Sequence, residues 1–218
     1  MSARELLRAN DDRLLARAQD FGAEHWARPS LCDEWTNHQV LAHLVIGLSA
    51  PVCSVAGAVW RHRGSFDSAN AEMATSLAGR RRPAELLDDF ARLSRRPQGL
   101  GRYFPTPLLL GDHVTHELDM LFALDLEPDI SSQALVAVLN TQVGVPNPFV
   151  PAYRNSRGLR IRATDADWRH GERGPRVEGR AAELVSVLGN RRKMLTALAG
   201  DGVGVLEARL SRPTRTVG

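Results

Sequence analysis

Five side chains that can ligate a metal or move a proton fall within eight positions, Asp112, His113, His116, Glu117 and Asp119. Apolar residues flank them, Leu108 to Leu110 on one side and Met120 to Leu124 on the other. A stretch this apolar favours burial, and buried ionisable groups are costly unless they are paired or hold a metal. On an α-helix each residue turns about 100°, so Asp112 and His116 share a face, and Asp119 returns to within about 20° of Asp112. His113 and Glu117 stand about 60° and 100° from His116, on the flank. An acid and an imidazole four residues apart are a common way for a bundle helix to supply two ligands to one metal. The same pair also fits a solvated or ion-paired helix face.

A third donor comes from an earlier helix. Thr36 and Gln39 have the spacing of a capping box, and the run Val40 to Leu48 behind them is almost wholly apolar around His43. An isolated histidine there fits a core residue bonded to a carbonyl. Gly47 and Ala50, on the same face, leave space beside the ring for a ligand instead. Pro51 kinks or ends this helix. Three N/O ligands with an open fourth position would make a catalytic rather than a structural zinc site.

The elements that must position these groups follow from periodicity. Residues 3–24 read as a helix with apolar Leu6, Leu7, Leu14, Leu15, Ala18 and Phe21. Residues 52–63 continue or resume a helix, and residues 67–77 form a short one. Pro83 suits the first turn of a helix over 84–95. A loop from Pro97 to Pro107 leads into the helix that carries the cluster, about 108–125. Residues 131–143 are helical, and Pro146, Pro148 and Pro151 then break the pattern. Beyond them, 158–164 and 175–179 read as strands around a turn at Trp168. Ala181 to Leu198 reads as an amphipathic helix and 203–210 as a short one, with a disordered tail from Ser211. The expectation is a mainly α protein: an antiparallel four-helix bundle over 1–145 followed by a small α+β unit over 146–218.

Composition narrows the classes. The chain has 218 residues, 43% hydrophobic content and a net charge of +3. No run of eighteen apolar residues spans a membrane, and Met1 to Glu5 do not open a signal peptide, so a cytoplasmic location is expected. Cys32 and Cys53 make no disulfide framework. The basic pI of about 9.4 comes from arginine, with Lys193 the only lysine, and few aromatics lie near the arginines to stack on bases. Neither nucleic acid nor membrane is expected as a partner.

Three signals in a fixed order carry a resemblance. Ser30 to Thr36 runs into Val40 to Leu44; Asp112 to Asp119 follows; then come Ala163 to Trp168, Val177 to Leu184 and Leu188 to Arg191. Together, over roughly residues 3–210, they resemble the mycothiol-dependent maleylpyruvate isomerase family, one of the DinB-like metal-binding bundles. The resemblance implies that His43, Asp112 and His116 hold a divalent metal, commonly zinc. Some members of the family have Glu at the position of Asp112. Asp119 would act from behind the metal by orienting His116. Arg102, near the bundle mouth, and Arg191 would help hold the thiol.

The implied chemistry is thiol activation. A low-molecular-weight thiol, mycothiol by resemblance, is a good nucleophile only as its thiolate, and Zn²⁺ favours that form. Addition to an electrophilic small molecule gives S-transfer; addition, rotation and expulsion of sulfur give cis–trans isomerisation. Two other readings are a non-catalytic binding or stress-related member of the fold, and a thiol-independent metal hydrolase with Glu117 or Asp119 as general base. Cys32 reads as a small buried residue in a turn, His38 and His113 as peripheral, and Trp35 and Trp168 as packing residues. The chain is expected to be a monomer or homodimer.

Overall fold

The computed structural model describes residues 1–32, 35–147 and 150–210. Residues 33 and 34 of the Ser30 to Thr36 segment, Pro148 and the tail from Ser211 lie outside the described residues.

Four helices close a ring. They are α1 (Ala3–Ala18), α3 (Asn37–Ser49), α6 (Pro83–Arg95) and α7 (Thr106–Ala123). α1 packs on α6 and α7, and α3 packs on the same two. Their shared core holds Leu14, Leu41, Leu44, Phe90, Leu110, Val114 and Leu118, all 2% exposed or less. Burial of side chains this large is the main favourable term, about 1.5–3 kcal/mol each. Two further helices flank the ring. α5 (Phe66–Ala78) lies on α3, and α8 (Ser132–Gly144) lies on α7.

Local chemistry sets many of the boundaries. Thr36 caps α3 by accepting from Gln39 N, and the Gln39 side chain accepts from Thr36 N at 2.8 Å. Ser65 and Ser131 cap α5 and α8 in the same way, each accepting from the backbone N–H three residues on. Pro83 opens α6. The first helix is shorter than its periodicity predicts: it ends at Ala18, and a separate turn of helix, α2 (Ala23–Ala27), follows. Gly22 lies at this break and precedes α2. α4 (Val52–Arg61) resumes directly after Pro51, with only Ala50 and Pro51 between it and α3.

The loop before α7 contains a 3-10 turn (Gly99–Arg102) pressed against the end of α3. Gln98 N and Leu100 N donate to Leu48 O and Ala50 O at 2.7 and 3.0 Å. Gly99 has φ +48, and a Cβ there would stand 2.1 Å from Ala50 O, so this contact requires glycine.

After α9 (Ala152–Ser156) come β1 (Arg160–Ala163), β2 (Arg169–His170) and β3 (Arg176–Gly179), in the order β2-β1-β3. β1 pairs antiparallel with β2 and parallel with β3, with Ile161 opposite Val177. Ile161 and Val177 are fully buried beneath α10 (Ala181–Leu188), which packs on α8 and α7. Here the sequence expectation needs correction. The helix predicted over 181–198 stops at Leu188, Asn190 adopts φ +78, and a 3-10 segment (Arg192–Ala197) leads to α11 (Val203–Leu210). No helix among the described residues is long and apolar enough to cross a membrane.

Candidate metal centre

A cavity of about 470 Å³ opens between α3, α5, α7 and α8. Its polar end is built by His43 from α3 and by Asp112 and His116 from α7. One donor atom from each lies within 4.8 Å of the other two. His43 Nε2 is 3.5 Å from Asp112 Oδ1, and His116 Nε2 is 3.6 Å from the same oxygen. Donors around a tetrahedral zinc ion, each about 2.1 Å from it, stand about 3.4 Å apart. The observed spacings are close to that value and too long for hydrogen bonds. His43 Nε2 is buried and has no hydrogen-bond partner. A buried acceptor without a partner is costly, and a cation would relieve it. The three side chains therefore fit a divalent metal.

Each imidazole is oriented from behind. His43 Nδ1 lies 3.0 Å from Asn70 Oδ1 on α5, and His116 Nδ1 lies 3.0 Å from Asp119 Oδ2. With Nδ1–H donating to these oxygens, the lone pair of each Nε2 turns toward Asp112. The rings themselves stand 4.5 Å apart, and Trp35 packs 5.1 Å from His43 and 6.1 Å from His116.

Asp119 is fully buried and is held in turn by Arg191. Nε and Nη2 of Arg191 donate to its two carboxylate oxygens at 2.7 and 2.5 Å, while Nη1 donates to Gly189 O. The break at the end of α10 serves this contact: Arg191 N donates to Ser186 O as the chain turns at Asn190, and the side chain enters the core against α7.

Charge and burial set the ionisation states. Burial opposes charge on Asp112, but His43 and then His116 outweigh it and hold its pKa below the usual carboxylate range. Burial also opposes charge on Asp119; Arg191 and His116 outweigh it and bring its pKa to about 2. His116 is pushed down by burial and by His43 beside it. Asp119 likewise raises the already high pKa of Arg191 against the effect of burial. An ionised Asp112 and a neutral His116 are the forms a metal requires.

The remaining candidates divide. Arg191 lines the cavity, whereas Arg102 is exposed on the 3-10 turn in a separate cleft with Arg96, Pro97 and Gln98. His113 lies outside the cavity lining, peripheral to the site, but is buried in the bundle. It is 1% exposed, with Nδ1 2.7 Å from Asp11 Oδ1 on α1. Glu117 also turns to α1, where Asn10 and Arg13 donate to it at 3.0 and 2.6 Å. A base for a hydrolytic water is thus not supplied by Glu117, and Asp119 is saturated by Arg191 and His116. Trp168 is a packing residue whose Nε1 donates to Asn140 Oδ1 at 2.8 Å. His38 Nε2 lies on Arg81 O, away from the cavity.

Sequence reasoning missed two neighbours. Asn70 stands in a segment read only as a short helix. Cys32 lines the cavity, with Sγ within 4.8 Å of donor atoms of His116 and Asp119. Its turn is pinned to α7 by Leu31 N donating to Asp119 O at 3.1 Å. No local spacing announces that contact. Trp35, read as packing, does pack, but its neighbours are the two histidines of the site.

Comparison with known proteins adds three findings. Residues 7–98 match the family model described as the mycothiol maleylpyruvate isomerase N-terminal domain. The crystal structure of a mycothiol-dependent maleylpyruvate isomerase superposes with a TM-score of 0.54 at 17% identity, covering 91% of each chain. A histidine-to-alanine mutant of that isomerase superposes with a TM-score of 0.51 at 15% identity, again over 91% of each chain. No curated protein matches the sequence.

Proposed function

The chain resembles the mycothiol-dependent maleylpyruvate isomerases in sequence over residues 7–98 and shares their fold, and from that premise we propose a metal- and thiol-dependent enzyme. His43, Asp112 and His116 hold a divalent ion, zinc by their chemistry, and the cosubstrate is a low-molecular-weight thiol, mycothiol by family. The reaction is S-transfer to an electrophilic small molecule or its cis–trans isomerisation. The observation that carries this reading is the convergence of two Nε2 atoms from different helices on one carboxylate oxygen, at 3.5 and 3.6 Å, at the polar end of a cavity.

A bound divalent ion would supply the positive charge that shifts a thiol toward its thiolate near neutral pH. The protein does the rest. Asn70 and Asp119 fix the ring orientations and keep both Nδ1 atoms protonated. Arg191 neutralises Asp119, so that the carboxylate stays charged in the core without repelling an incoming thiolate. Trp35 packs against both imidazoles. Asp112, with 37% of its side chain exposed, is the ligand that faces the open cavity. Asp119 is a positioning residue in this scheme. Arg191, committed to Asp119, contributes to thiol binding only through its two remaining N–H groups.

Elemental mass spectrometry on protein purified without chelator tests the site. The expected result is about one equivalent of a divalent metal per chain. Turnover of an electrophile that requires both the metal and added thiol then tests the activity. Metal-free protein that fails to take up zinc would leave the cavity as a small-molecule pocket only.

A further inference from the structure

The metal centre occupies one end of the cavity; the walls beyond it are of a different character. Ile46 from α3, Val55 from α4, Met73 from α5, Phe104 before α7, Leu108 from α7 and Val138 from α8 present carbon to the space. Arg191 is the only cationic side chain among the described lining residues, and its charge is balanced by the carboxylate of Asp119. Asp67, at the start of α5, adds a negative charge at the exposed rim.

The charge balance of the loaded site then decides what can enter. A divalent cation, the Asp112 carboxylate and a thiolate sum to zero. An anionic substrate would leave water for an apolar cavity that offers it no uncompensated positive charge, a cost that binding would have to offset. An uncharged molecule with a hydrocarbon body loses little on entry and gains from burial against the wall.

We propose that the electrophile of this site is an uncharged, largely apolar molecule with an activated double bond, such as an α,β-unsaturated ketone, rather than a carboxylate. The inference rests on the reading of the cavity as a thiol–electrophile site. In the transfer step the sulfur lone pair forms the S–C bond at the β-carbon. The π pair of the double bond shifts to the α-carbon, which takes up one proton, replacing the proton that the thiol gave up. No oxidant or reductant is consumed. Carboxylate-bearing substrates would need an unpaired cation in the wall, and Arg191, the one cation among the described lining residues, is already balanced by Asp119.

Matched ligands test the proposal with a readout independent of turnover. Calorimetry on the zinc-loaded full chain saturated with mycothiol compares 2-octanone with 7-oxooctanoate, which differ only in a terminal carboxylate. The ketone is expected to bind at least about tenfold more tightly. Equal or tighter binding of the carboxylate, or no binding of either, would overturn the proposal. The corresponding enones, 3-octen-2-one and 7-oxo-5-octenoate, are then compared for kcat/KM with mycothiol, and the same preference is expected. If the ketone preference holds but neither enone forms an adduct, the ligand class stands and the thiol-transfer function falls. Phe104→Arg places a cation on the wall at a side chain already 44% exposed, so the fold should tolerate it. It is expected to narrow the preference at least threefold, to about a third of its wild-type value or less; an unchanged preference in the folded variant would show that wall charge does not set the selectivity.

Discussion

The two sides of α7 carry the same residue types and do opposite things with them. On the cavity side, His43 and His116 meet Asp112 at distances too long for hydrogen bonds, and the buried His43 Nε2 has no partner. On the α1 side, His113 forms a close pair with Asp11, and Glu117 is bonded to Asn10 and Arg13. His113 Nε2 also makes no hydrogen bond, but its ring packs 5.4 Å from that of Phe90 rather than beside a second donor. A candidate ligand site therefore differs from a structural polar seam in convergence: several donors aim at one point and do not pair with one another. Acid and imidazole content alone do not separate the two.

Mutations on the two sides should break along that line. His116→Ala is expected to have the largest effect, with loss of metal retention and of any thiol-dependent turnover by at least about a hundredfold. Stoichiometric metal in that variant would refute the ligand assignment. His113→Ala should do the reverse. It leaves Asp11 buried without its partner, at a cost of about 3 kcal/mol in denaturant unfolding, while metal content stays at the wild-type level. Asp119→Asn lies between them. Arg191 loses its countercharge, so stability should fall by about 3 kcal/mol, and metal affinity should weaken roughly tenfold because His116 is less well held. Normal affinity in a destabilised variant would reduce Asp119 to a purely structural role.

The pH dependence of metal-free protein sharpens the same contrast. On the cavity side, His116 has a lowered pKa, so its contribution to stability declines as pH falls through the ordinary histidine range. Asp119 adds stability above its ordinary value of 3.8, lost as pH falls toward about 2. On the α1 side, burial lowers the His113 pKa, but Asp11 outweighs it and the net shift is upward. That contribution is present below the ordinary value of 6.5 and is lost as pH rises through the raised one. Chemical unfolding followed across pH should therefore show an alkaline loss that vanishes in His113→Ala, and an acid loss that shrinks in Asp119→Asn. Cys32→Ser should have the smallest effect: metal content and kcat/KM within about threefold of wild type, since the ion is held without the thiol. Loss of metal in this variant would add Cys32 to the ligand set.

Much of this architecture follows from local rules that any reader of the chain can apply. The capping box of Thr36 and Gln39, the start of α6 at Pro83 and the shared face of Asp112, His116 and Asp119 all depend on residues within two helical turns, and each is present in the structure. The end of α1 and the break in the helix after Leu188 were less legible, because an apolar period continues through both while the backbone turns to meet tertiary partners.

What the sequence by itself determined is therefore which residues share a helix face, since helical geometry repeats every 3.6 positions whatever surrounds it. Only the tertiary structure decided which of those faces borders the cavity. Asn70 reaches His43 across 27 residues, Arg191 reaches Asp119 across 72, and Asp11 reaches His113 across 102. No local period encodes such meetings. The packing of α1, α3, α5 and the turn after α10 around α7 sealed one side with charge partners and left the other open to a cavity.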